Sequence, residues 1–155
     1  MQYSDRIKDF IGRSNENLKY IEKAKTDGEN VYETTQLISN FIAILILYNE
    51  NAWMYDGPIH KKNLSCKIIG KNTYNDNFEE HTYLFINHLR NACCHDGIEV
   101  NKETEEIQFI TFYDTKTENG EKKEVRIMLS VKEMRNIYNY LVMDRNKMKL
   151  KNKRK

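Results

Sequence analysis

The stretch His81-Thr82-Tyr83-Leu84-Phe85-Ile86-Asn87-His88-Leu89-Arg90-Asn91-Ala92-Cys93-Cys94-His95-Asp96-Gly97 decides how the rest of the chain is read. It has the spacing of an amphipathic helix, from about residue 77 to 94, stopped by Asp96-Gly97. At about 100° per residue, Phe78, Thr82, Phe85, Leu89 and Ala92 fall on one stripe, which we assign to the core. His81, Leu84, His88, Asn91 and His95 fall on a second stripe about 110° away. Arg90 lies off both stripes.

Working outward, residues 4–24 carry Ile7, Phe10, Ile11, Leu18 and Ile21 as a helical stripe, and Gly28 breaks the pattern. Residues 31–48 predict a second helix, with Val31, Leu37, Ile38, Phe41, Ile42 and Leu45 followed by apolar residues nearly all round. A helix apolar on most faces is buried on most faces, either in the middle of a bundle or against another subunit. Residues 49–77 form a long connection with an Asp56-Gly57-Pro58 turn and a helical or extended piece near 64–69. Past the opening stretch the period changes: 107–113 and 124–129 are β-rich, with the Asn119-Gly120 hairpin signal between them. Ser130 and Glu133 make a capping box for a last helix with Val131, Met134, Ile137, Tyr138, Leu141 and Val142 on its apolar face. The expected fold is mainly α. It is an up-and-down bundle of about four main helices, with a β-hairpin (about 105–130) inserted between the third and last. Residues 1–144 read as one domain, and 145–155 as a basic, flexible tail.

Composition narrows the class. One Pro and six Gly favour long helices over many short strands. The formal net charge of +2 hides an asymmetry, because residues 145–155 hold seven basic residues and no acid. The remaining body has 18 basic against 23 acidic residues, a net of −5. The tail is a solvated terminus or an arm that gathers a polyanion through phosphate contacts, with Lys147, Lys149, Lys151, Lys153 and Arg154 as the candidate RNA contacts. Three cysteines, two of them adjacent, make no disulfide framework. The longest apolar run, 37–48, is short of the roughly 20 residues a membrane span needs. A cytoplasmic protein with no membrane contact is expected.

Three histidines on one helix stripe invite a metal reading, but seven residues rise about 10.5 Å, too far for one ion to bridge. No metal or cofactor is expected. Arg90 and His95 can serve phosphoryl transfer instead. An imidazole can move a proton near neutral pH, and a guanidinium matches the oxygens of a charged phosphorane. Five residues apart, they diverge by about 140° in an unbroken helix. They meet one substrate only if the helix loosens before His95 or if two copies pair. Asn91 and His95, four apart, share a face, so the amide can orient the imidazole. Taken alone, an Arg and a His at a helix end are more often structural or solvated.

The run from Leu89 to Gly97, with Arg90, Asn91, three intervening residues and His95, resembles the signature of HEPN domains (higher eukaryotes and prokaryotes nucleotide-binding). The preceding Asn40-Phe41-Ile42-Ala43-Ile44-Leu45 helix and the following hairpin and closing helix resemble a bacterial, often plasmid- or defence-associated subgroup. The resemblance covers about 31–144 and implies a helical bundle that dimerises so that two Arg–His motifs meet in a cleft. It further implies a metal-independent endoribonuclease leaving a 2′,3′-cyclic phosphate and acting as a toxin or antiviral effector. Arg90 would stabilise phosphate charge, His95 would act as general acid or base, Asn91 would position the site, and His88 could line the RNA path. The expected partners are RNA, a second copy of the chain and an antitoxin or defence-system protein. The alternative is a non-catalytic HEPN dimerisation or adaptor module that holds such a protein. His81 and His88 could equally be ordinary exposed or interface histidines.

Overall fold

A computed structural model describes residues 3–50, 67–68, 73–74, 82–101 and 106–144. Its elements run α1 (Tyr3–Thr26), α2 (Glu33–Glu50), β1 (Lys67–Ile68), α3 (Thr82–Cys94), β2 (Ile98–Asn101), β3 (Phe109–Glu118), β4 (Glu121–Ser130) and α4 (Val131–Asp144). The mainly helical architecture, with antiparallel strands between the third and last helices, is the one the sequence predicts. Most of the 49–77 connection, the start of the third helix at 77–81 and the tail lie outside the described residues.

Helix α2 takes the middle-of-bundle option. It packs against α1, α3 and α4, and the Phe41 ring meets Phe112 of β3 edge-on at 6.1 Å between centroids. Leu37, Phe41 and Leu45 are buried along its length, which is why apolar residues recur on so many of its faces. The buried polar side chain of Asn40 on α2 is satisfied, because its Nδ2 donates to the Ser14 carbonyl (2.9 Å) and Gln36 Nε2 donates to its Oδ1 (2.9 Å). This ties α1 to α2. In α1, Ile11 and Leu18 are buried, but Phe10, expected on the same stripe, is 50% exposed at the rim.

The hairpin is larger than its sequence signal. Its strands pair from Phe109↔Ser130 to Glu118↔Glu121, so the loop is Asn119-Gly120 alone. Both residues have positive φ (52° and 79°), the geometry of a type I′ turn whose twist matches that of the strands. Beyond Asp114 the strands have no apolar alternation, and cross-strand charges such as Lys123–Glu118 (2.7 Å) line them. The hairpin is also not isolated. It forms the centre of a four-stranded antiparallel sheet, order β1-β4-β3-β2, with β2 following directly from α3.

Ser130 caps α4 as expected: its backbone N–H and hydroxyl both donate to Glu133 Oε2 (2.7 and 2.8 Å), and the Glu133 N–H donates back to Ser130 Oγ (3.2 Å). Met134, Ile137, Tyr138 and Leu141 then enter the core, and an Arg135–Glu22 ion pair joins α4 to α1. Helix α3 lies between α2 on one side and β3 on the other. Phe85, Leu89 and Ala92 are buried, so the first stripe of the opening segment is core where it is described.

Candidate functional site

At His88 the second stripe of α3 does not face water. His88 is 4% exposed, and its Nδ1 lies 2.6 Å from Oδ2 of Asp114, itself 5% exposed on β3. The Tyr74 ring closes the outer side of the imidazole at 4.6 Å between centroids, and Thr73 beside it is held on β4 by bonds with Glu124. The assignment of His88 to RNA contact is therefore corrected, because a side chain sealed between α3, β3 and Tyr74 does not meet solvent. His81 lies outside the described residues, as do Lys147, Lys149, Lys151, Lys153 and Arg154.

Burial by itself would raise the Asp114 carboxyl, but its net displacement is downward. Hydrogen bonds from His88 and Asn91, the charge on His88 and the Tyr74 hydroxyl together outweigh the desolvation. A carboxylate only accepts, so His88 carries its proton on Nδ1 and donates it to Asp114. The same oxygen, Oδ2, accepts from Asn91 Nδ2 at 3.2 Å. Asn91 Oδ1 in turn accepts from Arg90 Nη1 at 3.1 Å. His88, Asp114, Asn91 and Arg90 thus form one continuous bonded line from the interior to a half-buried guanidinium. Asn91 acts on Arg90 here. The expected amide–imidazole pairing is absent: among the described residues no side-chain bond joins His95 to Asn91 or Arg90.

The end of the helix explains where His95 goes. Its backbone N–H still bonds the Asn91 carbonyl (3.0 Å), so the helical register runs through His95 and loosens only after it. Asp96 takes the left-handed conformation (φ 56°), and the Gly97 N–H reaches back to the Ala92 carbonyl (2.8 Å), which is a Schellman ending. The residue with the unusual φ is Asp96, and Gly97 is required for space. A β-carbon there would collide with the Tyr113 carbonyl, while the Tyr113 N–H bonds the Gly97 carbonyl at 2.6 Å. His95 is left exposed on a turn anchored on both sides, at Asn91 and at Gly97. Because the register is unbroken, Arg90 and His95 of one copy stay about 140° apart.

Cys93 is half-buried and its thiol is pushed up to about 12, mainly by burial and then by the neighbouring Cys94, so it is not a nucleophile near neutral pH. Cys94 is exposed. The described residues hold no group of three or more His, Cys, Asp or Glu able to share an ion, and no helix among them is long and apolar enough to cross a membrane.

The family described as HEPN pEK499 p136 matches residues 1–148. The chain belongs to that family. The match spans all four helices, the sheet and the α3 ending. No curated protein and no solved structure matches the chain. Asp114, which organises the polar line of this HEPN domain, lies one residue beyond the β-rich run 107–113, so the sequence reading does not include it. The signal was present: Ile110, Phe112 and Asp114 alternate on one face, so the acid continues an inward-facing row.

Proposed function

We propose that this HEPN protein is a metal-independent endoribonuclease that works as a homodimer and acts as a toxin or antiviral effector. The observation that carries the reading is Arg90, with its guanidinium held by Asn91, five residues before an exposed and titratable His95. These are the two group types that the step needs, one fixed cation and one proton carrier. The intact register up to His95 favours the dimer, because one copy turns the two groups apart while a two-fold axis near the α3 ends brings Arg90 and His95 of different copies to one phosphate.

In the proposed reaction the ribose 2′-oxygen attacks the adjacent phosphorus as neutral His95 takes the 2′-hydroxyl proton. The phosphorus–O5′ bond breaks, and a protonated His95, that of the second copy, gives its proton to the departing 5′-oxygen. Arg90 stabilises the extra charge on the non-bridging oxygens of the phosphorane. The products are a 2′,3′-cyclic phosphate and a 5′-hydroxyl. Side chains handle every proton and charge, so no metal is called for. The basic residues Lys147, Lys149, Lys151, Lys153 and Arg154 gather RNA through phosphate contacts that weaken with salt.

The test is cleavage of RNA by wild type, Arg90→Ala and His95→Ala, with product ends mapped, alongside growth arrest on expression. Cleavage lost in both variants and arrest that depends on His95 support the reading. Equal cleavage by all three proteins, or none by the wild type on any RNA, would dispose of it and leave the adaptor role. A truncation after Asp144 should bind RNA more weakly and lose part of the salt dependence.

A further inference from the structure

We infer that Asp114 and His88, which lie outside the Arg–His signature, are positioning residues that fix the direction in which Arg90 presents its guanidinium. The inference rests on the ribonuclease reading above and adds the residues through which the fold controls the site.

The geometry is directional. An Asn side chain can sit either way round, with its oxygen or its NH2 toward a neighbour. Asp114 removes that freedom, because a carboxylate accepts only and therefore compels Asn91 to turn its NH2 inward (Nδ2 to Oδ2, 3.2 Å). Asn91 Oδ1 must then point outward, where it accepts from Arg90 Nη1 (3.1 Å). With the amide reversed, NH2 would face guanidinium N–H and the two donors would repel. The carboxylate is itself locked by His88 Nδ1–H on the same oxygen at 2.6 Å. Both side chains are at least nine-tenths buried, so water does not substitute for either partner. The direction of the Arg90 donor is thus set by a buried pair two residues removed from it along the bonded line.

A pair that merely pinned α3 to β3 would hold the fold without regard to which way each bond runs. The discriminating experiment reverses the bonds. Asn91→Asp alone sets two carboxylates against each other. Asp114→Asn alone keeps an acceptor for His88 and Asn91 but lets both amides reorient. The double variant Asn91→Asp/Asp114→Asn restores the line with its central bond reversed: the amide at 114 donates to the carboxylate at 91, which still accepts from Arg90. In full-length protein on an RNA oligonucleotide, Asn91→Asp should lower kcat about 10- to 100-fold with little change in KM, the scale on which losing a partner that orients a reacting group acts. The double variant should recover to within several-fold of wild type. A folded double variant no better than the worse single variant would overturn the inference.

If the wild type cleaves no RNA, the ribonuclease reading fails, and the inference is decided by 15N–1H spectra of the Arg90 side chain. Hindered guanidinium rotation in the wild type, freed in Asn91→Ala and Asp114→Asn and hindered again in the double variant, would uphold the positioning role. Unchanged spectra in both single variants would overturn it. Asn91→Ala alters only a half-buried side chain and so keeps the test available should Asn91→Asp not fold.

Discussion

His88 and His95 occupy one stripe of α3, seven residues apart, and the fold treats them in opposite ways. His88 lies under β3, bonded to Asp114 and closed off by Tyr74, while His95 projects from the turn after the last helical residue. The same residue type at the same angle becomes a structural anchor in one place and a candidate proton carrier in the other. What separates them is axial position. The stripe is covered by β3 at His88 and Asn91, and it leaves that cover where Asp96 turns the chain toward β2.

The largest effects should come from exchanging the two fates. His95→Ala should reduce RNA cleavage by about 10²- to 10⁴-fold, the usual worth of a general acid or base, and leave stability within about 0.5 kcal/mol. His88→Ala should do the reverse in a denaturant melt, costing about 3–5 kcal/mol because it strands a buried carboxylate. If His95→Ala melts the fold, or His88→Ala leaves it intact, the contrast between the two histidines is broken.

Gly97→Ala probes the boundary between the two regimes. The added methyl collides with backbone, which cannot move aside as the tip of a side chain can, so β2 must shift away from β3. A loss of about 1–3 kcal/mol is expected, on the scale of overpacking a close contact. Hydrogen exchange should find the loss of protection concentrated at Gly97–Tyr113 and β2. Uniform loosening across the bundle would mean that this strap does not define the His95 turn.

Much of this contrast is legible in the sequence. The core stripe Phe85–Leu89–Ala92, the capping box at Ser130 and the Asn119-Gly120 turn are local signals, each set by residues within one or two turns of one another, and the structure has all three. What covers the second stripe is not local. Asp114 lies 26 residues beyond His88, and the pairing of β3 with β2 and with Gly97, just after α3, brings it over the helix. The strands run further toward the turn than their apolar pattern for a related reason. Residues 115–118 and 121–124 have no apolar alternation, and the turn dictates their pairing. β2 has no sequence signal, because four residues with exposed Glu99 and Val100 give little period of their own.

Acid sharpens the comparison from the Asp114 side. Its carboxyl is held below the ordinary value of 3.8, because bonds from His88 and Asn91 outweigh burial. The unfolded chain therefore takes up this proton first as pH falls. The stabilisation is complete above the ordinary carboxyl value and is lost as pH drops through the lower folded one. In urea melts below about pH 5, wild type should lose stability more steeply than Asp114→Asn. Parallel curves for the two proteins would mean that the buried carboxyl titrates alike folded and unfolded.

The smallest effect repeats the contrast within two adjacent residues. Cys93 packs against the core and its thiol is raised to about 12 by burial and by its neighbour, while Cys94 is exposed one residue further along. Thiolate is the reacting form, so a water-soluble alkylating agent near neutral pH should modify Cys94 first, with the adduct located by peptide mass spectrometry. Adjacent helical residues point about 100° apart, which is enough to carry one side chain into the core and the other into water. Since Cys94 immediately precedes His95, an adduct there should also hinder RNA without unfolding the protein. Cleavage should fall in step with modification of Cys94, and Cys94→Ser should abolish that sensitivity. Modification that proceeds equally at Cys93 would mean that the α3 end opens in solution, and the division between its buried and exposed positions would then have to be drawn earlier in the helix.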